Sequence, residues 1–175
     1  MKVLAFAASN SRQSINQQLA KYAASKIENA DVEILDLNDY EMPIYSSDRE
    51  TLNGIPEQAQ RFYDKVGAAD AIIISFAEHN GSYTAAYKNI FDWTSRIDMK
   101  VYQNTPMLLL ATSPGPGGAQ SVLGAAVNSA PYFAADVKAS LSVPSFFDNF
   151  DVETGKLTND EIEASLESAL KQLAN

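Results

Sequence analysis

Apolar and polar positions along this chain switch repeatedly between two periods. Residues 2–8 (KVLAFAA), 70–76 (DAIIISF) and 106–112 (PMLLLAT) are short, nearly continuous apolar runs. That is the pattern of parallel strands covered on both faces. Residues 31–37 (DVEILDL) and 137–143 (VKASLSV) are more mixed, with Val137, Ala139, Leu141 and Val143 alternating onto one side, as suits the edges of a sheet. Between these runs the period lengthens to that of a helix. Residues 14–28 put Ile15, Leu19, Ala23 and Ile27 on one face, and Pro56 opens a helix with Ala59, Phe62 and Val66 turned inward. A helix that begins after 77–83 and ends near residue 96 buries Tyr87, Ile90, Phe91 and Thr94, and another spans about 119–135. Thr158-Asn159-Asp160-Glu161 reads as a capping box opening a last helix, with Ile162, Leu166, Leu170 and Leu173 as its buried stripe. Residues 38–54 and 144–157 read as irregular connections.

This alternation predicts an α/β protein with a five-stranded parallel sheet between two helical layers, formed by residues 1–175 as a single domain. With the second and fifth strands outermost, the strand order is 2-1-3-4-5, the flavodoxin-like sandwich. Ligands in that topology bind beyond the carboxyl ends of the strands, where the order reverses between strands one and three. The loops after those two strands therefore carry the expected chemistry.

Composition narrows that chemistry. Hydrophobic residues make up 46% of the chain and charged residues 20%, which suits a globular domain. No apolar run is long enough to span a membrane, and the N-terminal apolar stretch reads as a buried strand rather than a secretory signal. Cysteine is absent, which excludes disulfides, thiol nucleophiles and thiolate metal sites, and suggests the cytoplasm. The only histidine is His79, so a multi-histidine metal site is excluded and no metal is expected. A net charge of -9 argues against a nucleic-acid surface. Chemistry without thiols and almost without imidazole points to a bound cofactor that brings its own reactivity.

The first loop, Ala8-Ser9-Asn10-Ser11-Arg12-Gln13-Ser14-Ile15-Asn16, joins a buried strand to a helix N-terminus. Free amides and the positive end of the helix dipole collect there. Three serines, two asparagines and an arginine add donors and a charge, more than one helix cap requires. In an acidic chain this is the environment a phosphate dianion needs. The loop contains no glycine and is neither a Walker loop nor a dinucleotide fingerprint. The second loop is Ala77-Glu78-His79-Asn80-Gly81-Ser82-Tyr83, in which Gly81 permits a tight turn against a flat ligand while Asn80 and Ser82 offer hydrogen bonds. The third, Thr112-Ser113-Pro114-Gly115-Pro116-Gly117-Gly118, lets backbone approach a ligand edge, although a plain strand-to-helix turn explains it nearly as well.

Together the three loops resemble those of the NADPH-dependent FMN reductase family, a flavodoxin-like group that includes quinone, azo-dye and chromate reductases. Ser9 to Asn16 is close to the family's first motif, and Glu78, Asn80, Gly81, Ser82, Lys88, Asn89, Asp92 and Trp93 match its second. The similarity runs in order over about residues 1–145. It implies that Ser9, Ser11, Arg12, Ser14, Ile15 and Asn16 surround an FMN phosphate. It further implies that Glu78, His79, Asn80, Gly81 and Ser82 line the isoalloxazine, and that Ser113, Gly115, Gly117 and Gly118 touch its far edge. Ala77, His79 and Thr84-Ala85 depart from the family pattern, which has proline, tyrosine and a further proline region there. His79 is either a donor beside the flavin or a polar loop residue in the tyrosine slot. Trp93, Tyr87 and Phe91 read first as core, with part of that face available to a subunit contact, since related reductases are dimers or tetramers. Phe146, Phe147 and Phe150 pack over the last helix or complete a partner's site, and Asp148, Asp151 and Glu153 form a solvated acidic loop.

The implied reaction is ping-pong transfer of hydride from NAD(P)H through FMN to a small acceptor such as a flavin or quinone. Two rivals share the fold. A one-electron carrier like flavodoxin is disfavoured because the Thr-x-Thr-Gly-x-Thr phosphate loop is missing. A phosphorylation switch is disfavoured because strand one ends in Ala7-Ala8-Ser9 rather than acidic residues. A degenerate, non-catalytic binding domain stays open at this point.

Overall fold

The computed structural model describes residues 1–174. Strands β1 (Lys2–Ala8), β2 (Asp31–Leu35), β3 (Ala71–Phe76), β4 (Pro106–Thr112) and β5 (Asp136–Val143) form one sheet of order β2-β1-β3-β4-β5, every pairing parallel. Helices α1 (Ile15–Ser25) and α7 (Asp160–Leu173) cover one face, and α3 (Glu57–Gly67), α4 (Ala85–Thr94) and α5 (Gln120–Ser129) cover the other. The expected flavodoxin-like architecture is thus present.

The apolar runs explain why the central strands are central. Leu4, Phe6, Ile72, Ile74, Met107 and Leu109 point into the core beneath α3, α4 and α5. Their alternates Val3, Ala5, Ile73, Leu108 and Leu110 point into the core beneath α1 and α7. Burying a side chain such as Ile73 stabilises the fold by about 1.5–3 kcal/mol, so strands apolar on both faces settle in the middle. β2 carries Glu33, exposed and paired with Lys65 at 2.6 Å, as an edge strand can.

Several local expectations need correction. The one-sided alternation expected from Val137 to Val143 is broken. The β4–β5 register shifts between Met107 and Leu108, with Met107 opposite Val137 and Leu108 opposite Ala139. A bulge inserts one residue and flips the faces that follow, so Val137 packs on the α5 side while Ala139, Leu141 and Val143 pack on the α7 side. Residues 38–54 are not wholly irregular. A 3-10 turn, Leu37–Tyr40, is capped by Asp36, and a short helix α2 (Ser47–Asn53) is capped by Ser46 and ends at Gly54 with φ 74°. The helix expected over 119–135 stops at Ser129 and continues as a 3-10 turn, Ala130–Phe133, because Pro131 lacks the amide that would extend it. On α4, Trp93 takes the fully buried position and Phe91 is only partly buried.

The segment 144–157 contains a single-turn helix α6 (Phe146–Asn149) and a two-stranded hairpin, β6 (Phe150–Asp151) with β7 (Lys156–Leu157). Phe146 and Phe150 stack at 4.6 Å inside the core of α1 and α7, whereas Phe147 is 61% exposed. Asp151 accepts hydrogen bonds from the Glu153 amide at 2.9 Å and the Thr154 hydroxyl at 2.7 Å, closing the hairpin turn. The Thr154 hydroxyl, followed by the Glu153 amide, holds that carboxyl below its usual range. The cap of α7 is Asn159 rather than Thr158: its side chain accepts from the amides of Glu161 and Ile162. Asn159→Ala should therefore lower the unfolding free energy by about 1 kcal/mol, read as a shifted urea midpoint at unchanged slope.

Candidate functional site

The loops after β1, β3 and β4 emerge side by side from adjacent strands, and three cross-links tie them together. Asn16, buried on the first turn of α1, donates to the Thr112 carbonyl at 3.1 Å and accepts from the Thr112 amide at 3.1 Å and the Ser75 hydroxyl at 2.8 Å. Thr84 caps α4, accepting from the Tyr87 amide at 3.2 Å while donating to the Ala8 carbonyl at 2.9 Å. Glu78 reaches across to accept the Val122 amide of α5 at 2.8 Å.

Within the first loop, Ser9 accepts from the Ser11 amide at 3.1 Å, Ser11 from the Gln13 amide at 3.3 Å, and Ser14 from the Gln17 amide at 3.2 Å. This chain of local bonds winds the backbone into a tight turn at the N-terminus of α1. The amides of Ile15 and Asn16 lie in the first helical turn, which has no carbonyl of its own helix to bond. The Ile15 side chain packs on the α1–α7 core. Arg12 is exposed and forms no hydrogen bond or ion pair among the described residues, which leaves its five donors available.

The second loop is a two-residue hairpin. His79 and Ser82 exchange backbone hydrogen bonds at 3.0 and 3.1 Å, with Asn80 at φ 53° and Gly81 at φ 77° between them. Two successive positive φ values define a type I′ turn, for which Asn-Gly is the preferred pair. His79, Asn80, Gly81 and Ser82 are all exposed, and nothing lies within 4 Å of where a Cβ on Gly81 would sit. Behind the hairpin, Tyr83 packs on Phe76 at 5.9 Å, and its hydroxyl lies 3.2 Å from that of Ser129. Deeper still, burial raises the pKa of the Tyr87 and Tyr102 hydroxyls, which lie 2.5 Å apart and stay protonated.

In the third loop, Ser113 donates its hydroxyl to the Gly115 carbonyl at 3.1 Å, and the Ser145 amide bonds that carbonyl at 2.9 Å. Gly115 and Gly117 face open space. Gly118 does not: at φ 58° it lies against the end of β5, where a Cβ would collide with Ser142 and Pro144. The Ser142 hydroxyl also donates to the Gly118 carbonyl at 2.8 Å. Gly118 thus seats the loop on β5, while Gly115 and Gly117 form its outward surface.

Lys88, Asn89, Asp92 and Trp93 hold structure rather than facing the loops. Lys88 pairs with Asp92 one turn away at 2.6 Å. Asn89 donates to the Met42 and Pro43 carbonyls at 3.1 and 3.2 Å and accepts from the Tyr45 amide at 2.8 Å, while the Trp93 indole donates to the Pro43 carbonyl at 2.7 Å. These bonds pin the strap at 42–45 and form one wall of a groove of about 200 Å³ beside the first loop. Leu37, Tyr40, Met42 and Ile90 give it apolar lining, and Asn10 and Asn38 also line it. The strap shows no periodicity of its own, so the sequence pattern does not reveal this groove, and Asn89 and Trp93 are the motif residues that lead to it.

The model of the NADPH-dependent FMN reductase family matches residues 1–148. An NAD(P)H-dependent FMN reductase of Pseudomonas aeruginosa is 32% identical over 87 residues, 50% of this chain and 45% of that protein. A 2-hydroxy-1,4-benzoquinone reductase of a Burkholderia species is 30% identical over 119 residues, 67% of this chain and 63% of that protein. These matches span between about half and two thirds of those relatives' length. Among solved structures, the flavoenzyme NAD(P)H:(acceptor) oxidoreductase of Paracoccus denitrificans superposes with a TM-score of 0.76 at 21% identity, covering 99% of this chain and 97% of that one. That likeness is one of fold.

Asn16 is the polar residue on which the loop arrangement leans most. Asn16→Ala strands the Thr112 amide and the Ser75 hydroxyl, so it should cost about 2–4 kcal/mol, measured by urea denaturation.

Proposed function

Because the chain belongs to the NADPH-dependent FMN reductase family, we propose that it is an oxidoreductase that holds FMN across the three loops and passes hydride from NAD(P)H to a small acceptor. The observation carrying this reading is Arg12, which has no hydrogen-bond or ion-pair partner among the described residues, beside the first turn of α1 in a chain of net charge -9. A helix N-terminus with free amides and a nearby guanidinium favours a bound anion. The exposed faces of Gly81, Gly115 and Gly117 fit the other end of the same ligand, since a flat ring can approach backbone there without meeting a side chain.

In this reading Ser9, Ser11, Arg12, Ser14 and the amides of Ile15 and Asn16 hold the phosphate. The type I′ hairpin from His79 to Ser82 presents backbone and the Asn80 and Ser82 side chains to the ring, with His79 at its corner. Ser113, Gly115 and Gly117 border the ring's far edge. Asn16 and Gly118 act from behind, through the bonds and packing that fix the loops. Bound FMN supplies the hydride chemistry, and the protein supplies orientation and an apolar backing formed by Phe76 and Tyr83. Nucleotide and acceptor occupy one place in turn, which makes the kinetics ping-pong. The acceptor is a flavin, quinone or similar small molecule, in keeping with the quinone reductase among the relatives. No helix of the described residues is long and apolar enough to cross a membrane. We further read the chain as a cytoplasmic homodimer or homotetramer. Exposed Ile44, Leu52 and Ile55 around the strap give apolar surface that a second copy would cover.

Two experiments test the proposal. Titration of apo protein with FMN should quench flavin fluorescence saturably. Arg12→Ala should weaken FMN by about 10- to 100-fold, the equivalent of one charge-assisted contact of about 1.5–3 kcal/mol, and leave riboflavin nearly unchanged. Equal losses for both ligands would remove the phosphate role, and no binding at all would remove the enzyme. In anaerobic stopped flow, NADPH alone should bleach the loaded protein and benzoquinone should restore its colour. A protein that stays oxidised until a partner reductase is added is a carrier instead.

A further inference from the structure

The N-terminus of α5 lacks a cap of its own. Its N-cap position is Ala119, which has no side-chain acceptor and sits in the left-handed conformation at φ 57°, directly after Gly118 at φ 58°. Helices normally satisfy the amides of their first turn with a Ser, Thr, Asp or Asn at this position. Here the acceptor arrives from 44 residues upstream: the Glu78 carboxylate takes the Val122 amide at 2.8 Å. An acidic group at this end also interacts favourably with the helix dipole.

Position gives this bond a second consequence. Glu78 immediately precedes the His79–Ser82 hairpin, and Val122 stands four residues after Gly118. Gly118 is itself fixed to β5 by the Ser142 hydroxyl and by the lack of room for a Cβ. The third loop is therefore held at the β5 end, and Glu78 joins it to the hairpin on the β3 side. Among the described residues, the other side-chain hydrogen bond across these elements, between Tyr83 and Ser129, lies at the far end of α5.

We propose that Glu78 is a positioning residue that sets the separation between the ring-facing hairpin and the outward glycines Gly115 and Gly117. It acts through the Val122 amide rather than by touching the flavin. The proposal rests on the reading that FMN lies between these two loops. It predicts that what matters at position 78 is an oxygen able to accept an amide hydrogen bond, and not the negative charge. Glutamine keeps that oxygen and alanine does not.

The test uses full-length protein with two variants and one control. Glu78→Ala should weaken FMN and riboflavin by the same factor, about tenfold, since the lost bond lies on the ring side of the ligand. It should also alter the visible circular dichroism of bound flavin and speed hydrogen exchange at the Val122 amide in the apo protein. Glu78→Gln should stay within about threefold of wild type in affinity and keep the wild-type dichroism. Asn159→Ala, which weakens the distant cap of α7, should lower Tm without moving either flavin affinity. Equal damage from the glutamine and alanine variants would overturn the proposal in favour of direct charge contact. An alanine variant that loses Tm but binds both flavins as wild type does would overturn it in favour of a purely structural cap. If wild-type protein binds no flavin, the reading beneath it fails as well. If wild type binds and Glu78→Ala is indistinguishable from it, the positioning role alone falls.

Discussion

Parallel strands buried on both faces must stop somewhere, and at their carboxyl ends the backbone groups lose the ladder that satisfied them. Buried amides and carbonyls left without partners are costly, at about 1–3 kcal/mol each. Here those groups are taken up by side chains from elsewhere in the chain. Asn16 serves both the amide and the carbonyl of Thr112, Thr84 serves the carbonyl of Ala8, and the Thr112 hydroxyl donates to the Val143 carbonyl at 2.6 Å. No buried side-chain nitrogen or oxygen among the described residues is left without a partner.

That requirement links the sheet to the candidate site. Every residue recruited to finish a strand also anchors a loop: Asn16 anchors the turn into α1, Thr84 the exit from the hairpin, and Thr112 the start of the glycine loop. The loops are therefore held by the same bonds that complete the core, while their outer surfaces stay open. Such a division suits a site whose reactivity comes from a bound group, since the protein's part is to hold it in one orientation.

The strap at 42–45 extends the same logic outward. It has no regular structure, yet Asn89 and Trp93 bind its backbone from α4. Two residues that match a family motif thus shape the wall of a neighbouring groove. Glu78 is a comparable case: the family resemblance implies a place beside the ring, and in the structure its carboxylate accepts the Val122 amide of α5, whose N-cap position has no side-chain acceptor.

The chain's own pattern determined the fold. Strands apolar at every position can only be central, strands with polar alternates can only be edges, and helical stripes assign the layers that cover them, because burial free energy depends on residue type and period. The serine-rich turn that opens α1 was equally legible, since capping at a helix start is a local property. The tertiary structure decided what depends on residues distant in sequence. The bulge that turns Val137 away from Ala139 arises from pairing with β4. The capping of α5 by Glu78, the engagement of Asn16 with Thr112 and the seating of Gly118 against Ser142 join segments that no local periodicity connects. A hydrogen bond is satisfied by whichever partner the folded chain brings within reach, and that partner's identity is not written near the residue that needs it.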